Sequence, residues 1–201
     1  MADPSVAAVV VAGGASRRLG TDKRRLRLWG EAGPTLLEHT LDALAPLCAE
    51  RIVVLNDPHA WPDLPAHLVP DSLPGSGALG GIVSGLHAAS TSFALVLAAD
   101  MPLLSGALLR AMLARPRSYD VLLPRPSPAH IEPLHALYRC ACAPRLRAAL
   151  EQGTRRVSEA LEPLRCEYIE PAELARYDPT GHAFLNLNTP DDLARVRELL
   201  A

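Results

Sequence analysis

A chain of 201 residues has the size of one domain and can bury enough surface on folding to need no staples. Its 49% hydrophobic content is that of a globular protein, no window approaches the ~18 unbroken apolar residues of a membrane span, and four cysteines (Cys48, Cys140, Cys142, Cys166) are too few for a disulfide framework. The net charge of −2 hides an asymmetry: between residues 17 and 27 six basic groups (Arg17, Arg18, Lys23, Arg24, Arg25, Arg27) face one acid, Asp22, so that window is +5 and the remainder −7, which argues for a local anionic ligand and against a surface that coats nucleic acid.

Met1 to Ser5 lacks the basic cluster of a signal peptide, and the apolar run that follows is short; with the cysteine count this predicts a reduced, cytoplasmic protein. Val6 to Val11 is β-branched and apolar and ends in Gly13-Gly14, as a buried parallel strand does. Thr35-Leu-Leu-Glu38 is a capping box that opens an amphipathic helix to about Leu47. Arg51 to Leu55 reads as a second strand, Leu79 to Ser90 as a helix, and Phe93 to Ala98 as a third strand that runs out at Asp100. Helices are expected over Ser105 to Ala114, Ala143 to Gln152 and Pro190 to Leu200, the last capped by Thr189, with strands over Val121 to Leu123 and Leu134 to Tyr138. The Pro/Gly-rich stretches 56–77 and 124–133 read as long loops. Strands apolar on both faces alternating with helices predict an α/β fold, a mostly parallel sheet with helices on both faces, in a single domain over residues 1–201.

In such sheets ligands bind beyond the carboxyl ends of the strands. Gly13-Gly14 and Asp100 both follow apolar strands directly, so a glycine-rich basic loop and a carboxylate are expected on one edge. Glycines let successive backbone N–H groups approach an anion, and Arg17 and Lys23 add cationic donors, a combination suited to a polyphosphate. The alternative is a surface turn with solvated arginines. The loop is neither a Walker A motif nor a dinucleotide fingerprint, because the Gly-Lys-Ser/Thr ending and the glycine spacing are absent. Asp100 suits Mg²⁺, which takes one or two carboxylates plus substrate phosphates; its alternative role is to open the Met101-Pro102 turn. Asp71 to Gly81 leads into a helix through glycines that permit close approach to a flat ligand, or else is a flexible linker. The Cys140-x-Cys142 spacing is too short for a usual zinc site. Of the 20 basic residues 19 are arginine; the single lysine, Lys23, is either an accident of composition or the mark of a place where a compact point charge suits better than a planar fork.

Together these segments resemble the molybdenum cofactor guanylyltransferase family, the MobA-like nucleotidyltransferases. The family's opening signature stands here as Val11-Ala-Gly-Gly-Ala-Ser-Arg-Arg-Leu-Gly-Thr-Asp-Lys23, with Val where Leu is usual. Its second glycine motif is Gly77-Ala-Leu-Gly-Gly81, with Ala78 in place of Pro. Asp100 before a proline, Gly153-Thr-Arg-Arg-Val157 and the closing Asn186-Leu-Asn188-Thr-Pro190 complete the series in order. The resemblance implies a Rossmann-like nucleotidyltransferase that moves GMP from MgGTP to molybdopterin or molybdenum-molybdopterin and releases pyrophosphate. It implies that Val11, Ala12, Gly13, Gly14, Lys23, Asn56, Asp71, Gly77, Gly80 and Asp100 bind the nucleotide. Arg17, Lys23 and Asp100 would be catalytic, with Asp100 the Mg²⁺ ligand, and Arg155, Arg156, Asn186 and Asn188 would face the acceptor. The N-terminal half would then serve the nucleotide and the C-terminal half the acceptor, in a monomer that exchanges cofactor with molybdenum-insertion and molybdoenzyme proteins. The alternatives are the same chemistry with CTP or with another phosphorylated acceptor such as phospholactate, and a nucleotide-binding regulator without turnover.

Overall fold

The computed structural model describes residues 3–13, 19–73 and 75–200. Seven strands among them form one sheet: β1 (Asp3–Val11), β2 (Cys48–Val54), β3 (His67–Val69), β4 (Phe93–Ala98), β5 (Val121–Pro124), β6 (His135–Arg139) and β7 (Cys166–Ile169), in the order β3-β2-β1-β4-β6-β5-β7. β1 lies at the inner part of the sheet, parallel to β2 (Val9 opposite Ile52) and to β4 (Val9 opposite Val96). β6 alone runs the other way, antiparallel to β4 and β5, while β5 and β7 are parallel. β1, β2, β4, β5 and β7 therefore all finish on one edge.

The helices are α1 (Leu36–Leu44), α2 (Gly77–Ala88), α3 (Gly106–Ala114), α4 (Ala143–Glu151), α5 (Val157–Leu161), α6 (Pro171–Tyr177) and α7 (Pro190–Leu200). The side-chain alternation of β1 explains its unbroken apolar run. Val6, Ala8 and Val10 face one way, into a core completed by α1, α3 and α6; Ala7 and Val9 face the other, into a core completed by α2, α4 and α5. All five are fully buried. Two glycines of α2 let it lie close on β1. A Cβ on Gly85 would stand 2.2 Å from Val9 Cγ1, and one on Gly81 would stand 2.6 Å from Val11 Cγ1. Part of the glycine content near residue 80 thus serves helix–sheet contact.

Both expected caps form. Thr35 N–H donates to Glu38 Oε2 (2.7 Å) and Glu38 N–H to Thr35 Oγ1 (3.3 Å). At α7, Asp192 N–H donates to Thr189 Oγ1 (3.2 Å), and Asp192 Oδ2 accepts from the N–H groups of Thr189 and Asn188 at 2.8 and 2.9 Å. Val196 of α7 shares a small third core with Leu36 and Leu187, next to Leu26 and Trp29, and so brings the C-terminal segment against the entry of α1.

The stretch 56–77 is not loop throughout. It holds β3, whose three residues pair with β2 on the sheet's edge and are exposed or half-buried, too few to show a period. α5, β7 and α6 carry no strong sequence pattern either, being five, four and seven residues long. Cys140 and Cys142 do not extend β6; they form a 3-10 turn into α4, and all four cysteines are unbridged. No helix among the described residues is long and apolar enough to cross a membrane.

Candidate active site

The exits of β1, β2 and β4 are held side by side by two hydrogen bonds just past the strands, Ala12 N–H to Val54 O (2.8 Å) and Ala99 N–H to Val11 O (3.0 Å). A cavity of about 440 Å³ opens there, in the size range of small-molecule sites. Its walls come from the β1 exit (Val11, Ala12, Gly13), the Lys23–Arg24 turn, Asn56 after β2, Asp71 and the entry of α2 (Gly75, Gly77, Ala78), and Asp100 after β4.

The Asp22 carboxylate caps the 3-10 turn Lys23–Arg25, accepting from Arg24 N–H at 3.0 Å. From that turn Lys23 Nζ donates to Asp100 Oδ2 at 2.5 Å and to Asn188 Oδ1 at 3.2 Å. The Lys23 and Asp100 side chains are only 12% and 17% exposed, so the pair is weakly screened. Leu187 N–H donates to the Asp100 carbonyl (2.9 Å), which ties the closing segment to the same residue. Three segments separated by 77 and 165 residues in the chain therefore meet at one ammonium.

Across the cavity, Asn56 Nδ2 donates to Gly13 O (3.1 Å). Asp71 Oδ1 accepts from Leu73 N–H (3.0 Å) and from Ser84 Oγ–H (3.2 Å), whereas Oδ2 takes no hydrogen bond among the described residues. Gly77 has φ +63°, a left-handed conformation that side chains resist, at the point where the wall turns into α2.

The other expected site residues are placed differently. Gly80 lies outside the cavity wall, buried where a Cβ would stand 2.8 Å from Ser76 Cβ and 3.2 Å from Asp71 Oδ1; it lets the loop fold against its helix. Asn186 Nδ2 donates to Phe184 O (3.1 Å) and does not join Asn188 at Lys23. Arg155 donates to the carbonyls of Leu150 and Thr154, and Arg156, 82% exposed, pairs with Glu159; neither lines the cavity. Gly14 and Arg17 lie outside the described residues.

The basic window is balanced internally in part. Lys23 meets Asp100, and Arg24 is held by both Asp22 and Asp57. Hydrogen bonding to Arg24 draws both of those carboxyls below their ordinary range, and the same partners hold the guanidinium firmly charged. Arg25 sits over the Trp61 ring at 4.1 Å, and Arg27 donates to Gly33 O. Arg24 and Asp57 are not legible as site residues in the sequence alone; the signal there is the lone acid Asp22 in the basic run and the Asn56-Asp57 pair after a strand.

Residues 8–165 match the family described as "MobA-like NTP transferase domain". The chain is 53% identical over 194 residues to "Probable molybdenum cofactor guanylyltransferase" of Chloroflexus aggregans, covering 96% of this chain and 93% of that one. It is 32% identical over 199 residues to "Molybdenum cofactor guanylyltransferase" of Syntrophotalea carbinolica, covering 94% and 90%. The crystal structure of molybdopterin-guanine dinucleotide biosynthesis protein A from Archaeoglobus fulgidus superposes with a TM-score of 0.81 at 30% identity, covering 96% of this chain and 98% of that one.

Proposed function

The chain belongs to the MobA-like NTP transferase family, and on that footing we propose that it transfers GMP from GTP to molybdopterin, giving the guanine dinucleotide form of the molybdenum cofactor and pyrophosphate. The observation that carries the reading is the meeting of Lys23 and Asp100, both on the cavity wall, with Asn188. The opening loop, the β4 exit and the closing Asn-Leu-Asn segment lie far apart in the chain, and the fold joins them within hydrogen-bond distance. The relatives at 53% and 32% identity carry the guanylyltransferase name, which favours GTP over CTP and turnover over mere binding.

The acceptor's terminal phosphate attacks the α-phosphorus of GTP. One P–O bond forms, the bond to the bridging α–β oxygen breaks, and the electron pair leaves with pyrophosphate. The attacking phosphate is already ionised, so no general base is required; bringing two anions together is the difficulty, and positioning with charge neutralisation is the remedy. Gly13, on the cavity wall at the β1 exit, would lie beside the phosphates, and Lys23 supplies a compact cation at the junction of the nucleotide and acceptor sides. Asn56 and Asp71 border the nucleoside end, and Asn188 is the acceptor-side group within reach of Lys23. Asp100 Oδ2 is held by Lys23 while Oδ1 takes no hydrogen bond among the described residues, which leaves one carboxylate oxygen for an ion shared with substrate phosphates, the arrangement Mg²⁺ accepts. Bound there, Mg²⁺ would neutralise phosphate charge. The test is product identification: incubation with GTP, Mg²⁺ and molybdopterin should yield the guanine dinucleotide by mass spectrometry, and its absence beside intact GTP would refute the assignment.

A further inference from the structure

We propose that Arg24 is a positioning residue for this site, a clamp that holds Lys23 and Asn56 in register without itself taking up substrate. A guanidinium has five N–H donors in a rigid plane, and here five bonds are made. Nε and Nη2 donate to the two oxygens of Asp22 at 2.9 and 2.8 Å. Nη1 and Nη2 donate to the two oxygens of Asp57 at 2.6 and 2.8 Å, and Nη1 also donates to Ala12 O at 3.3 Å. The side chain is 13% exposed, with the Trp61 ring 5.3 Å away.

The partners lie on three separate segments. Ala12 is the β1 exit that leads into the glycine loop. Asp22 caps the turn that carries Lys23. Asp57 follows Asn56, which is bonded back to Gly13. One side chain therefore links three segments on the β1–β2 side of the cavity. With all its donors engaged by the protein, Arg24 has none to offer a phosphate, although it borders the cavity. It also offsets two carboxylates beside the place where a triphosphate must enter. A lysine would keep one charge but cannot bridge two carboxylates as paired forks.

The single lysine of the chain makes the test direct, because lysine labelled selectively with ¹³C at Cε reports on Lys23 alone. In the wild type the held side chain should give two inequivalent Hε signals that shift when Mg·GTP is added. In Arg24→Ala they should collapse to the averaged position of a mobile lysine. The GTP dissociation constant should rise by about tenfold or more, the scale of a lost charge-assisted contact. Guanidinium at sub-denaturing concentration should restore both readouts in Arg24→Ala but not GTP binding in Lys23→Met. Asp57→Asn, at a position 42% exposed and so tolerant of change, removes one ionic partner and should give an intermediate loss of both. Inequivalent Hε signals and unchanged GTP affinity in Arg24→Ala and Asp57→Asn would overturn the proposal. The inference rests on the nucleotide reading of the cavity, and the two fail separately. Collapse of the lysine signals in a protein that never binds GTP would leave the clamp standing and remove that reading.

Discussion

Lys23 Nζ stands 2.5 Å from Asp100 Oδ2, so the loop that follows β1 is latched to the residue that follows β4 by one partly buried ion pair. The contact places a cation and a carboxylate at one point of the cavity edge, and their substitutions should separate chemistry from folding. Asp100→Asn keeps the shape and removes the charge; turnover should fall by about a hundredfold or more, as for loss of a group that organises transition-state charge, while the melting temperature changes little. Lys23→Arg keeps the charge but puts a planar fork where a point donor touches both Asp100 and Asn188. It should lower kcat/KM by about tenfold or more. Steady-state pyrophosphate release read beside thermal melts decides both, and near-normal turnover in Asp100→Asn would remove that residue from the machinery.

Guanine offers two adjacent donors, N1–H and the N2 amino group, to which a carboxylate fork would be complementary. Asp71 Oδ1, however, already accepts from Leu73 N–H and Ser84 Oγ–H and holds the loop that enters α2. Oδ2 alone of the two oxygens is without a competing bond among the described residues. Asp71→Asn should therefore weaken binding of all four nucleoside triphosphates by a similar factor and leave the preference for GTP in place. A selective loss of GTP affinity, by calorimetry, would make Asp71 the base reader.

Gly85 is expected to matter for stability alone. Its missing Cβ would overlap Val9 Cγ1, and Val9 is fully buried between two strands that hold it in place. Gly85→Ala should cost about 1–3 kcal/mol in urea unfolding, the usual range for overpacking a tight core. GTP affinity per folded molecule should stay the same. A variant as stable as the wild type would mean that α2 can ride up on β1 freely.

His135 is fully buried on β6, with Phe184 edge-on at 5.1 Å and neither ring nitrogen hydrogen-bonded among the described residues. Burial pushes its pKa from the ordinary 6.5 down to about 4, against a small opposing pull from Asp178. Between those values the unfolded chain binds the proton and the folded one does not. The contribution of His135 is therefore fully present above pH 6.5 and is lost as pH falls toward 4, by about 3 kcal/mol across that window. His135→Phe should flatten this part of the stability–pH curve relative to the wild type; equal slopes in the two proteins would show that the imidazole titrates normally in the fold.

The elements legible in the sequence are those whose burial imposes a pattern. β1 and β4 stand out because both faces are covered, which requires an apolar run, and because Gly13 and Asp100 end those runs at the edge where they are needed. α1 and α7 stand out through reciprocal caps that are local in the chain. β3, α5 and β7 are short and partly exposed, and nothing periodic distinguishes them. In the site, the placing of Lys23, Asn56, Asp71 and Asp100 around one cavity follows from strand ends sharing an edge. The contact of Asn188 with Lys23 depends on how α7 packs against α1, a long-range outcome with no local signature. For the same reason Asn186 and Asn188, two residues apart in one motif, part company: one turns back to Phe184 O and the other reaches Lys23. The glycines of 75–85 look alike in sequence, yet Gly77 shapes the cavity wall while Gly85 admits β1.

The most direct test of the central claim is pyrophosphate release measured with each of GTP, CTP, ATP and UTP, in the presence and absence of molybdopterin. Release with GTP that depends on molybdopterin, with the other three nucleotides near background, is the predicted result. Release that favours CTP, or that proceeds with GTP regardless of molybdopterin, would contradict the account.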